Sequence, residues 1–224
     1  MARLSRSTSD VLPSRRLIIR CAWLCAVLMG LALGGAGSAP AQPTEGRPAD
    51  SPRRALIQAE RAHLMRVAGW GGLNVAGGLA LAWASSRSAQ QARWSFGMMS
   101  AGWGVVNIGI GAVALATTSP PAATTDAVLG AERTFHDLLL LNLGLNVGYM
   151  GVGTAMLVAG TRDVAAADAW RGYGSALILQ GLGLLVLDGI AFLASRMRLS
   201  TLLESTTTVS TAIGPGGTGL TVTF

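Results

Sequence analysis

The chain has 224 residues, of which half are hydrophobic and 12% charged, with thirty glycines and a formal net charge of +6. Soluble domains usually have about a quarter of their residues charged, and here the charges cluster between long uncharged runs, which is typical of a membrane protein. Nucleic-acid binding is excluded, because five arginines precede Cys21 and no basic face with interleaved aromatic residues remains. Because Cys21 and Cys25 both lie in the N-terminal leader, the mature chain has no thiolate metal site or cysteine nucleophile.

Residues 1–41 have the order of a secretory signal peptide. An arginine-rich start is followed by an apolar run from Cys21 to about Leu33 and then by Ala39-Pro40-Ala41, which predicts cleavage after Ala41. The apolar run is too short for a comfortable membrane span. An uncleaved signal anchor is the alternative.

Residues 42–66 are predicted to form a linker and an amphipathic surface helix. The linker, through Asp50, contains proline, glycine and charged residues. Ser51 suits the N-cap of the following helix and Pro52 its first turn. We expect this helix, through Arg66, to lie at the membrane surface or to run directly into the first span.

Residues 67–198 are predicted to form an antiparallel bundle of four transmembrane helices, because each of four apolar segments has about the 20 residues that cross a bilayer. Backbone groups in lipid must be satisfied within the segment, so these segments are helical. A soluble four-helix bundle would need a charged face on each helix, and none has one. The segments are Val67–Ala84, Trp94–Thr117, Leu138–Gly160 and Tyr173–Ser195.

The leader predicts a bacterial inner-membrane protein with both ends of the mature chain outside the cytoplasm. This places the loops 85–93 and 161–172 inside the cell. More arginines lie in the outer segments than in these loops, so the positive-inside rule points weakly the other way. We give precedence to the leader because the first topogenic element usually dominates.

Residues 199–224 are predicted to form a β-hairpin tail. Val209, Thr211 and Ile213 alternate with polar or small residues, a turn follows at 214–217, and alternation resumes from Leu220. The fold class expected from the sequence is therefore an all-α membrane protein with a short C-terminal hairpin.

Polar side chains recur within the apolar segments, and the text WGGLN at 70–74 is echoed by WGVVN at 103–107. We call these side chains the polar seam. Helical rise places one of them from each span at a similar depth nearer the outer surface. Small residues beside amides favour close helix packing and hydrogen bonds across the bundle, and Gly144 and Gly148 form a separate GxxxG surface. The seam comprises Asn74, Asn107, Asn142, Asn146, Tyr149, Gln180 and Asp188.

Two interpretations of the seam remain open. In the first, the amides and Asp188 hold the helices in register, with each bond contributing about 0.6–2 kcal/mol. In the second, Asp188 anchors a site for a proton, a cation or a small polar molecule, since a carboxyl within a membrane is a candidate functional site by default.

Enzymatic chemistry has little support in the sequence. His136 and Asp137 at the start of span three, with Glu60 and His63 on the surface helix, are possible metal ligands by residue type. Their spacing does not require a metal, and Glu60 and His63 are expected to be ordinary exposed partners. No hydrolase, P-loop or nucleotide-binding motif is present, so we predict neither a cofactor nor a metal.

The repeated GWGxxN, the text LNLGLNVGYMGVG of span three and RGYGSALILQGLGLLVLDG of span four resemble a family of small bacterial membrane proteins of unknown function. The resemblance covers about residues 60–198 and implies a secretory leader and a helical membrane core, but no activity. The expected function is a non-enzymatic, structural or partner-binding bundle. Its expected partners are the lipid bilayer and a membrane protein or a second copy. The alternative is a small transporter, channel component or sensor.

Overall fold

The computed structural model describes residues 50–206, 208–214 and 217–223. The predicted signal peptide lies outside the described residues. Four long helices follow one another: α1 Asp50–Trp83, α2 Gln91–Thr117, α3 Thr125–Ala159 and α4 Ala167–Thr206. Two strands follow, β1 Thr208–Gly214 and β2 Gly217–Thr223.

Helix α1 joins the predicted surface helix and the predicted first span into one continuous element of 34 residues. Pro52 lies in its first turn, where a missing N–H costs nothing, and no proline follows until the loop after α2. Its buried residues recur every three, four or seven positions from Leu56 to Ala82. A single stripe therefore faces the bundle along the whole helix.

Glycines bring α1 and α2 into close contact. A Cβ atom placed on Gly71 would lie 2.6 Å from the carbonyl oxygen of Gly104, and one on Gly78 would lie 2.5 Å from that of Gly97. In α3 and α4 the same relation links Gly153 to the carbonyl of Gly174, at 2.7 Å. The chain thus forms two tight helical hairpins, each joined through small residues as expected for helices that pack in lipid.

Helix α4 packs against all three other helices. Half of its most apolar window is buried, compared with 28% for α2 and 17% for α3. Near the end of the bundle where α1 begins, an apolar cluster joins Leu56 of α1, Phe135 and Leu139 of α3, and Ala191 of α4. The centre of the fold is therefore α4, and any buried site must include it.

Three of the described helices are long and apolar enough to cross a membrane, namely α2, α3 and the part of α4 from Ala167 to Glu204. The sequence analysis predicts four spans. The difference lies in α1, where five glycines and Asn74 dilute the apolar side chains between residues 67 and 84. Helices α3 and α4 also exceed their predicted spans, at 35 and 40 residues. At about 1.5 Å per residue they extend well beyond ~30 Å of hydrocarbon.

The two strands pair antiparallel, with Gly214 opposite Gly217 at the turn and Thr208 opposite Thr223 at the open end. Because α4 continues through Thr206, the segment after the helix begins later than the residue 199 expected from the sequence. The threonine-rich text after Arg198 suggests an earlier end of the helix. The hydroxyls of Ser200 and Thr201 instead donate to the carbonyl of Met197 within α4.

Candidate functional site: a polar ladder along α4

Three buried polar side chains follow one another along α4, and we call Gln180, Asp188 and Ser195 the polar ladder. Their exposed fractions are 1%, 3% and 0%. At 1.5 Å per residue, the steps of eight and seven residues separate them by about 12 and 10 Å. Each contacts a polar group from another helix, so the ladder has three levels of interhelical hydrogen bonds.

At the first level, the Gln180 side-chain carbonyl accepts two hydrogen bonds. Trp70 of α1 donates through its indole Nε1 at 3.0 Å, and Asn107 of α2 donates through Nδ2 at 3.4 Å. The Trp70 ring lies directly over Gly183, so closely that a Cβ at this position would overlap the ring. One amide oxygen thus ties α4 to both helices of the first hairpin.

The indole bond can be tested with Trp70→Phe. The change removes the shorter bond to the buried Gln180 oxygen and should lower the free energy of unfolding by about 1 kcal/mol. Equilibrium unfolding in mixed detergent micelles measures it. Trp83→Phe is the matched control, because Trp83 is 94% exposed and should change stability little. Equal effects of the two substitutions would show that the indole bond contributes nothing.

At the second level, each carboxylate oxygen of Asp188 contacts a polar group from another helix. Asn146 of α3 donates to Oδ2 at 2.6 Å, and the Nε2 atom of His63 of α1 lies 3.1 Å from Oδ1. The side chains of His63 and Asp188 are 6% and 5% exposed. The His63 ring also meets the edge of Phe135, with 6.1 Å between ring centroids. The level therefore joins three helices in a largely apolar setting.

At the third level, Glu132 of α3 is 1% exposed and accepts three hydrogen bonds from α4. Ser195 donates at 2.5 Å, and Arg198 donates through Nε at 3.1 Å and through Nη2 at 3.0 Å. A two-pronged Arg–carboxylate contact is strong and directional. It clamps α3 to α4 beside a cavity of about 290 Å³ that Glu132 and Arg198 help to line.

The predicted seam is thus divided between levels instead of forming one layer. Asn146 meets Asp188, as its depth suggests, but Asn107 meets Gln180, two helical turns away. Asn74 is buried, yet its amide donates to the carbonyl of Trp70 in its own helix at 2.8 Å. The prediction that Asn74 and Asn107 lie level with Asp188 is therefore wrong. Span limits based on hydropathy misjudge the depths, because α1 and α4 continue past the apolar segments.

Two seam residues on α3 differ from the prediction. Asn142 is exposed, although it lies only one turn before the buried Asn146. Helix α3 packs mainly on α4, so its buried stripe is narrow, and at 100° per residue Asn142 lies about 40° from Asn146. Tyr149 is half-buried and packs on the Trp103 ring of α2, with 5.0 Å between centroids.

The predicted GxxxG surface on α3 faces away from the other helices. A Cβ atom placed on Gly144 or on Gly148 would meet nothing within 4 Å in the described part of the chain. The close contact of α3 with α4 is made through Gly153 instead. Gly144 and Gly148 therefore do not mark a contact between helices within one copy of the chain.

The residues that the sequence interpretation missed are His63, Trp70 and the Glu132–Arg198 pair. The sequence predicts an exposed His63, but its side chain is buried, because α1 is continuous and the stripe of Gly71 and Asn74 extends back to it. His63 lies eight residues before Gly71 and eleven before Asn74, and this helical spacing is a signal in the sequence that predicts its burial. Nothing in the sequence singled out Glu132, because it lies in the part of α3 that precedes the apolar segment.

The other ionisable candidates near this end of the bundle are His136, Asp137 and Glu60. His136 stacks on Phe192 with 4.4 Å between centroids, and Asp137 is exposed. Glu60 is half-buried, and burial raises its pKa, with Glu132 adding to the rise and Arg198 opposing it. In the described part of the chain, no group of three His, Asp or Glu side chains is arranged to hold a metal ion.

Comparison with known proteins finds one family. A model described as a family of unknown function, DUF6992, matches residues 66–189, more than half of the chain. The matched part contains the first two levels of the ladder except for His63. No curated protein and no solved structure matches.

Proposed function

The chain belongs to the DUF6992 family of unknown function, and from that premise we propose that it is a non-enzymatic integral protein of the bacterial inner membrane with four spans. The second half of α1, from Val67 onward, is the fourth span beside the three that are apolar enough. Large apolar side chains cover the outside of the helices, for example Val113 at 64% and Leu193 at 59% exposed. Water-soluble monomers rarely expose such surfaces, whereas lipid covers them.

The observation that carries a structural role is that each level of the polar ladder contains hydrogen bonds between helices. Gln180, Asp188 and Glu132 each accept donors from neighbouring helices. Polar groups that bond one another across helices hold a bundle in register. The protein is accordingly a rigid membrane scaffold whose exterior meets lipid and a membrane partner or a second copy.

The second candidate is a sensor or transporter that binds a proton or a small polar ligand. It is favoured by buried atoms that have no hydrogen-bond partner within residues 50–204, notably Nδ1 of His63 and Nε2 of Gln180. A scaffold alone has no need of such atoms, because each costs about 1–3 kcal/mol.

Membrane insertion and orientation can be tested with single cysteines, after Cys21 and Cys25 have been replaced by serine. Ser86→Cys lies in the loop between α1 and α2, and Ser119→Cys lies in the loop between α2 and α3. An impermeant maleimide should label the Ser119→Cys protein in intact bacterial cells. It should label the Ser86→Cys protein only after the cells are lysed. The protein should stay in the membrane pellet after a carbonate wash.

Three results would contradict parts of the proposal. Release by carbonate would remove the integral membrane assignment. Labelling of both cysteines from the same side would show that α2 does not cross the membrane. The reverse labelling pattern would retain the spans and overturn the orientation, in favour of the arginine distribution.

A further inference from the structure

We infer that the His63–Asp188 pair is an exchangeable proton-binding site, which takes its proton at Nδ1 of His63 from the end of the bundle where α1 begins. The inference goes beyond the scaffold role and does not depend on it, because the pair is buried between α1, α3 and α4 whatever surrounds the bundle.

Hydrogen bonding at Asp188 determines which nitrogen can accept the proton. The Asn146 amide nitrogen is a donor only, and it occupies Oδ2. In the proposed site Asp188 is ionised and accepts from both sides, so Nε2 of His63, which lies 3.1 Å from Oδ1, carries the hydrogen of that contact. The remaining nitrogen, Nδ1, is buried and has no hydrogen-bond partner in the described chain.

Charge balance gives the site a reason to take up a proton. Neutral imidazole beside a carboxylate leaves one net negative charge among side chains such as Phe135. A proton on Nδ1 converts the imidazole to imidazolium, and the pair becomes neutral overall. A buried net charge is costly, whereas a paired and hydrogen-bonded one is tolerated.

Glu60 is the carboxyl that we expect to supply the proton to His63. Glu60 lies three residues before His63, about one helical turn away on α1. It also lines a cavity of about 250 Å³ between the first half of α1 and the end of α2, together with Leu64 and Leu115.

Charged groups lie near Glu60 on three helices: Arg61 of α1 lines the same cavity, and α3 and α4 contribute the others. Burial and the nearby Glu132 raise the pKa of Glu60, and Arg198 lowers it. Helix α2 has one charged residue, Arg93, at its opposite end. The Glu60 carboxyl thus lies beside a cavity and about one helical turn from the buried imidazole, and it can hold a proton there. In the proposed route the Glu60 carboxyl passes its proton to Nδ1 of His63 and takes another from the side of that cavity.

Histidine-ring NMR of the full chain in detergent micelles tests the site, because the sequence has two histidines, His63 and His136. With isotope-labelled histidine, the ring nitrogen signals of His63 should change reversibly with pH, as expected if Nδ1 takes up and releases a proton. Asp188→Asn removes the countercharge, so proton binding at His63 should weaken about tenfold or more. Asp188→Glu should restore most of it, and the His136 signal should be unchanged by either substitution.

The entry route has its own measurement. Glu60→Gln should slow exchange of the His63 ring N–H with water several-fold, and Glu204→Gln, an exposed glutamate on α4, should not. A His63 signal that stays constant over the whole pH range would overturn the proton site. An Asp188→Asn variant that titrates like the wild type would overturn it as well. If that variant does not fold, the wild-type titration decides alone, and unchanged exchange in Glu60→Gln would overturn the route.

Discussion

Glu132→Ala is expected to lower the free energy of unfolding by about 3 kcal/mol. Loss of one partner of a buried ion pair typically costs ~3–5 kcal/mol, because the other charge stays buried without compensation. Here the substitution leaves Arg198 without its carboxylate and the fully buried Ser195 without its acceptor. The lower end of the range applies because the Arg198 side chain is 24% exposed and can reach water through the adjacent cavity.

The measurement is equilibrium unfolding in mixed detergent micelles, and the chain offers a matched control. Asp168 and Arg171 form an ion pair three residues apart on α4, 3.3 Å between charged atoms, with side chains 56% and 50% exposed. Asp168→Ala should therefore cost less than about 1 kcal/mol. If Glu132→Ala costs no more than Asp168→Ala, the third level of the ladder does not clamp α3 to α4.

Much of the helical architecture could be predicted from apolar periodicity. The stripe of Gly71, Asn74 and Gly78 on α1 is buried against α2, and the stripe of Gly104 and Asn107 on α2 faces it. These positions recur at helical spacing, and small residues at such spacing predict close approach. A family of unknown function matches residues 66–189, as the repeated text suggests, although the predicted bacterial origin, leader and motifs are not confirmed.

The depth of each polar group could not be predicted in the same way. Hydropathy locates the apolar part of a helix, but α4 continues to Thr206 through a segment that mixes leucine with serine, threonine and glutamate. An error of a few residues in a span limit moves a side chain by several ångströms. Such an error explains why the sequence places Asn107 level with Asp188, whereas its amide contacts Gln180.

Which side chains contact one another across the helices depends on how the two hairpins are rotated relative to each other. A single sequence does not give that rotation. His63 is assigned to Asp188 because α1 presents the same stripe from Leu56 to Ala82. Asn142 is exposed because α3 packs mainly on one neighbour, α4. Periodicity gives the face of each helix, but the width of a buried stripe follows from the number of neighbours.

The close contact of α1 with α2 leads to the second large expected effect, for Gly78→Ala. The added Cβ would lie 2.5 Å from the carbonyl oxygen of Gly97 and 2.7 Å from the backbone nitrogen of Ala101. Both are backbone atoms, so no side-chain rotation relieves the overlap and the helices must separate. Overpacking of this kind costs about 1–3 kcal/mol, and separation would also weaken contacts at Gly71 and Gly104.

Gly77→Ala is the matched control, because a Cβ at Gly77 meets nothing within 4 Å. Replacing glycine with alanine at an exposed helical position favours the helix by up to about 1 kcal/mol, so the two neighbouring substitutions should change stability in opposite directions. The difference in unfolding free energy between the two variants isolates the helix contact from helix propensity, which changes equally in both. Variants of equal stability would mean that α1 and α2 do not approach as closely as their glycines allow, and that the first hairpin is held chiefly by the bonds of Trp70 and Asn107 to Gln180.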